Sequence, residues 1–140
     1  MSKSKGNYLT ANDCINLYGA DATRIVLADS GDHLDDSTFH QESANAEVLK
    51  LTTFYFWVDK SYQSLEEMRC DDFNFFDNLY DNAINKVIIE TKEAYENMNY
   101  RSVVKQGRRM LQIKDEYLSR TGTLHKDLFI RFITVHLIMV

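Results

Sequence analysis

Two clusters of cationic residues carry most of the chemistry available to this sequence. The first opens the chain as MSKSKGN, where Lys3 and Lys5 alternate with Ser2 and Ser4 ahead of Gly6. A lysine ammonium on a flexible stem is a mobile point charge, able to follow negative charge as it shifts between phosphate oxygens. Serine hydroxyls and exposed backbone N–H groups add neutral donors, and glycine permits close backbone approach. The second cluster is Arg101, Lys105, Arg108 and Arg109. Steps of three and four put Arg101, Lys105 and Arg108 on one helix face. Such a stripe suits phosphate contacts, which position a nucleic acid without reading its sequence. It equally suits a solvated face complementing acids elsewhere in the chain.

Other reactive types form no pattern. His33, His40, His125 and His136 are scattered and assemble no metal-ligand spacing with carboxylates or thiols. His136, among apolar neighbours, reads as a buried side chain. No serine sits in a nucleophile-elbow context. Cys14 and Cys70 match no disulfide or metal framework; they read as buried fillers suited to a reducing compartment. The net charge of −5 argues against a general nucleic-acid binder, but the charge is segregated. Residues 32–75 hold ten acids and three bases, whereas residues 101–122 hold six bases and two acids. No apolar run is long enough to span a membrane, and no secretory signal opens the chain.

The elements that must position these clusters read as helices. The 140 residues contain no proline, and no glycine falls between Gly31 and Gly107. So little turn chemistry disfavours strands and favours long helices. A short helix is expected from Thr10, with Asp13 completing a capping box, and it stops at Gly19. Asp21 is expected to cap a second helix closed by Gly31, with an Asp21–Arg24 ion pair. In the third helix, Ala44, Val48, Leu51, Tyr55, Val58, Tyr62 and Leu65 define the expected apolar face. After a break in RCDDFN, a fourth helix spans 76–98 with Leu79, Ala83, Val87, Ala94 and Met98 on its stripe. Asn99 caps a fifth, which carries the basic residues to Gly122, and a sixth starts near Thr123. Its apolar end, FIRFITVHLIMV, reads as a helix that continues, so the chain is expected to be cut at both ends.

MSKSKGN resembles the second signature of class I aminoacyl-tRNA synthetases, Lys-Met-Ser-Lys-Ser with a Gly-Asn tail (KMSKS). YGADATRIVLA is similar to the segment that follows this loop in the leucine, isoleucine, valine and methionine enzymes. LADSGDHLDDSTF looks most like the eukaryotic and archaeal type of leucyl-tRNA synthetase. LKLTTFYFWVDK, YRSVVKQG, KDEYLSRTG and LFIRFITVHLIMV resemble that family's helical region in order, so the resemblance covers essentially the whole chain. The signature's first lysine, which would precede Met1, is absent. So are the His-Ile-Gly-His signature, the nucleotide fold and the editing domain, which would lie upstream.

The resemblance implies an all-α fold: residues 1–39 as the KMSKS loop and connecting helices, and residues 40–140 as a helical bundle of the class Ia anticodon-binding type. It implies a piece of a cytoplasmic leucine–tRNA ligase that activates leucine with ATP and Mg2+ and transfers it to tRNA(Leu). Lys3 matches the lysine that stabilises the adenylation transition state, with Ser2, Ser4 and Lys5 as further ATP-phosphate contacts. Arg101, Lys105, Arg108 and Arg109 are the candidate tRNA contacts. The chain alone is expected to be inactive and to bind no ATP. The alternatives are another class I synthetase (isoleucine, valine or methionine), a self-standing helical tRNA-binding module, or an interaction domain without catalysis.

Overall fold

A computed structural model describes residues 9–31 and 38–139. They form six α-helices: α1 (Ala11–Tyr18), α2 (Ala20–Ser30), α3 (Gln41–Gln63), α4 (Phe75–Glu96), α5 (Tyr100–Thr121) and α6 (Lys126–Met139). A 3-10 turn follows α3 at Leu65–Glu67, and no strand occurs among the described residues. The all-α expectation holds. The chain divides into two compact units, Met1–Tyr55 and Phe56–Val140, with the division inside α3.

In the first unit, the Thr10 hydroxyl accepts the Asp13 N–H at 3.1 Å while the Asp13 carboxylate accepts the Thr10 N–H at 3.0 Å. This is the expected reciprocal box, and it satisfies two N–H groups that α1 leaves open. Gly19 adopts φ 81° and serves both as the last cap of α1 and the first of α2. Asp21 is therefore not the α2 cap. It lies in the first turn, where a carboxylate complements the helix dipole, and pairs with Arg24 on the surface. Cys14, Ala22, Val26 and Ala44 are buried here.

The expected apolar stripe of α3 is corrected. Tyr55 and Tyr62 are 66% and 67% exposed, whereas Glu47 is buried and paired with Lys50 at 2.7 Å. The less exposed line runs through Ala44, Glu47, Leu51, Phe54, Val58 and Ser61. A strict 3.5-residue repeat drifts about 20° per heptad around a straight helix of 3.6 residues per turn. Two heptads carry the Tyr55–Tyr62 line off the buried face.

In the second unit, α4 and α5 form the principal seam and α6 packs against both. The α4 face that is buried comprises Asp77, Tyr80, Ile84, Val87, Thr91 and Ala94, so the expected stripe is displaced; Leu79 is 44% exposed. Helix α4 ends at Glu96 because Met98 takes φ 52°, a left-handed turn residue from which the chain reverses into α5. Asn99 caps α5 as expected, accepting the Ser102 N–H at 3.0 Å. Tyr80 stacks on Tyr117, with ring centroids 4.4 Å apart, and Phe132, Leu128, Ile84 and Met110 are essentially inaccessible. Each such side chain stabilises the fold by about 1.5–3 kcal/mol relative to exposure. Trp57 meets Phe129 and Phe132 edge-on at 5.7 and 5.8 Å, beneath the Lys114 ammonium at 4.3 Å.

A polar network closes one end of this core. The Asp77 carboxylate, 0% exposed, accepts from Arg69 and from the Tyr117 hydroxyl at 2.5 Å each, and from the Asn74 N–H at 2.8 Å. The Asn74 side chain returns the favour by accepting the Phe76 and Asp77 N–H groups. Burial alone would raise the Asp77 carboxyl; the bonds from Arg69, Tyr117 and Asn74 outweigh it and hold the group below its ordinary value. His125 donates from Nε2 to the Asp71 carbonyl at 2.8 Å and accepts the Asp127 N–H at Nδ1. The Lys126 N–H donates to the Arg69 carbonyl, completing an isolated parallel bridge between Arg69 and His125. The connection at residues 68–74 is thus tied down at both ends.

Gly122 ends α5 in the left-handed region at φ 70°, and its N–H donates to the Leu118 carbonyl at 2.9 Å. A Cβ there would meet nothing within 4 Å, so only the backbone resists a side chain. Gly122→Ala is expected to cost about 1–2 kcal/mol in urea unfolding, and Gly122→Asn less, because Asn tolerates this conformation. Equal stability of Gly122→Ala and the parent would refute that assignment.

Candidate functional site

Ser2, Lys3, Ser4 and Lys5 lie outside the described residues. The second cluster lies on α5. Its buried face comprises Val103, Val104, Gly107, Met110, Ile113 and Tyr117. The opposite face carries Arg101, Lys105, Arg109, Gln112, Glu116 and Arg120, all exposed. The helical repeat therefore continues the outward line from Lys105 to Arg109, while Arg108 is half-buried at its edge. Arg109 reaches Glu116 at 3.7 Å with both side chains about half exposed. Such surface pairs contribute about 0–1 kcal/mol, so a polyanion can displace this one readily. Lys114 does not belong to the stripe: it sits over Trp57 with its side chain only 12% exposed and paired to Asp115.

The stripe borders a groove along the α4–α5 seam made of two adjoining hollows. One, about 490 Å3, is lined by Lys86, Lys105, Arg108 and Arg109 with Glu90 as its one carboxylate. Gln106 also lines it, and its side-chain oxygen is buried without a hydrogen-bond partner among the described residues. The other, about 240 Å3, is lined mainly by apolar and aromatic groups, including Phe76, Leu79, Tyr80 and Tyr117, with Arg109 and Arg120 at the rim. Ala83, Arg109 and Ile113 are common to both. Burial pushes the Tyr80 and Tyr117 hydroxyls up in pKa, so both stay protonated and neutral around neutral pH.

Two features of this region escape the sequence patterns. Phe76 and Leu79 read as core from their spacing, yet they are 38% and 44% exposed in the groove wall. The Arg69–Asp77–Tyr117 network joins residues up to 48 positions apart, a separation that local periodicity cannot register. The Asn-x-x-Asp box at Asn74 and Asp77 was the available signal for part of it. Cys14 is buried as expected, but Cys70 is exposed on the connection before α4. His136 is buried as expected, stacked on Phe132 at 5.6 Å. No group of His, Cys, Asp or Glu among the described residues could hold a metal ion. None of the described helices is long and apolar enough to cross a membrane.

No family model matches the chain. It is similar from end to end to curated leucine–tRNA ligases named as cytoplasmic. It is 36% identical to that of Dictyostelium discoideum over 100% of the chain and 14% of the relative. It is 35% identical to that of Saccharomyces cerevisiae over 95% of the chain and 12% of the relative, and 36% identical to that of Pongo abelii over 99% and 12%. The chain spans roughly an eighth of the length of these relatives. The isoleucine, valine or methionine alternative is not favoured.

Proposed function

The chain is homologous over its whole length to one segment of the cytoplasmic leucine–tRNA ligases, and from that premise we propose that it acts as the phosphate-loop and tRNA-facing part of such a ligase. The observation that carries this reading is the collinear match over essentially every residue. Residues 1–39 serve the ATP side and residues 40–140 the RNA side, in the cytoplasm.

In the reaction, the leucine carboxylate attacks the α-phosphate of ATP, forming leucyl-adenylate and releasing pyrophosphate. The leucyl group then passes to the terminal ribose of tRNA(Leu). Lys3 neutralises charge that builds toward the departing pyrophosphate, while Ser2, Ser4 and Lys5 hold the phosphates by hydrogen bonds and charge. Catalysis of this kind rests on positioning and preorganised charge and needs no protein nucleophile. Magnesium usually binds through substrate phosphates with few protein carboxylates. The described residues offer it no site, and no step is assigned to it. The leucine pocket and the rest of the nucleotide site belong to other parts of a ligase, so the chain alone makes no adenylate.

On the RNA side, Arg101, Lys105 and Arg109 present exposed cations to the tRNA backbone, with Arg108 at the stripe's edge. The test is binding of the chain to a tRNA(Leu) transcript across a salt series. Log affinity is expected to fall linearly with log salt, and Lys105→Glu with Arg109→Glu to flatten that slope by about 1.5–2. No shift at low salt, or an unchanged slope in the double variant, would remove this reading of α5.

A further inference from the structure

The α4–α5 groove combines two chemistries that a purely phosphate-gripping face does not need. Its cationic hollow supplies four positive side chains against one carboxylate. The adjoining hollow supplies an apolar wall in which Phe76 and Leu79 are substantially exposed. Core packing explains neither, because the buried face of α4 runs through Tyr80, Ile84 and Val87. An exposed aromatic ring beside a file of cations is how single-stranded nucleic acids are held. The backbone tracks the charge while a base stacks on the ring. Fully paired RNA offers the backbone but no free base face.

Resting on the tRNA-facing reading above, we propose that this groove seats a short unpaired run of ribonucleotides, with one base over Phe76 and its backbone along Arg109 and Lys105. The spacing suits this. From Lys105 to Arg120 is fifteen residues, about 22 Å of helix, which is the span of a few nucleotides. Arg109, common to both hollows, stands where the backbone leaves the stacked base and enters the cationic half. The mixed character also weighs against an acidic peptide, which would use the cations and leave the aromatic wall uncovered.

The experiment compares the intact chain with Phe76→Ala, Phe76→Trp and Phe75→Ala. Phe75 is 74% exposed and does not line the groove, so it controls for loss of exposed aromatic surface. Each is titrated with an RNA hairpin bearing an unpaired loop and with a fully paired duplex of equal charge. The parent is expected to favour the looped RNA by about tenfold. Phe76→Ala should lose that preference, Phe76→Trp should keep it, and Phe75→Ala should leave it unchanged. One loop base should lose reactivity toward dimethyl sulfate in the parent complex and regain it with Phe76→Ala.

Equal affinity for loop and duplex, or an indifferent Phe76→Ala, overturns the inference. Where the salt slope and the Lys105/Arg109 effect persist, the phosphate-gripping reading survives such a result. No binding to either RNA overturns both. Polyglutamate competing as well as the looped RNA also overturns the inference, in favour of an acidic peptide.

Discussion

An Asp77→Ala chain is expected to unfold with about 3–5 kcal/mol less free energy than the parent, the cost of removing one partner from a buried charged pair. The loss is large because the carboxylate does three jobs at once. It neutralises Arg69, accepts the Tyr117 hydroxyl, and accepts the Asn74 N–H at the start of α4. Its removal leaves a partly buried guanidinium and a buried hydroxyl without their acceptor. Against a total stability of about 5–15 kcal/mol, that loss strips a third or more of the margin. Asp77→Asn keeps the cap acceptor but not the charge and should lose less. Urea unfolding followed by helical ellipticity measures both, and a loss below about 1 kcal/mol for Asp77→Ala would show that the network holds little.

Acid gives the same residue a second signature. Burial, then the nearby Lys114 charge, depress the His136 pKa from 6.5 to about 4. The unfolded chain therefore takes up that proton first, and the stability held by neutral His136 is complete above pH 6.5 and drains as pH falls toward 4. Asp77 is also depressed in the folded chain, so its share is present above its ordinary value of 3.8 and is lost only as pH falls through the lower folded value. The parent should therefore weaken in two stages, and Asp77→Ala should show only the first.

Lys3→Ala is expected to slow leucine-dependent pyrophosphate exchange by about 10^2–10^3-fold, equivalent to about 3–4 kcal/mol of transition-state stabilisation. The assay uses the Saccharomyces cerevisiae ligase with this chain in place of its matched segment, since the reaction needs parts outside the chain. An ammonium that acts mainly on the transition state lowers kcat more than it raises the KM for ATP. Lys5→Ala in the same chimera should cost less, because its charge is the more readily replaced by solvent. An undiminished exchange rate for Lys3→Ala, in a chimera that is otherwise active, would end the ATP-side proposal.

The helical class was legible because it depends on local grammar. The absence of proline, the Thr10–Asp13 box, Asn99 and Gly122 each act within one turn, and all appear where the sequence puts them. Which face each helix buries was less legible. In α3 and α4 the apolar residues are numerous enough to support two neighbouring stripes, and the choice is made by partners distant in sequence. The outward face of α5 was readable because charge marks it unambiguously, although Arg108 sits further inward than its spacing suggests. The groove was not readable at all. It exists only because α4 and α5 reverse at Met98 and bring Phe76 opposite Tyr117 and Arg120.

Trp57 is the chain's sole indole, and it lies where three helices of the second unit meet, edge-on to two α6 rings and under an α5 ammonium. Its ultraviolet emission is therefore an intrinsic beacon for that junction. Loosening of α6 or withdrawal of Lys114 would change the colour and intensity of light from a single known position, with no extrinsic dye and no second fluorophore of its kind to confuse the signal.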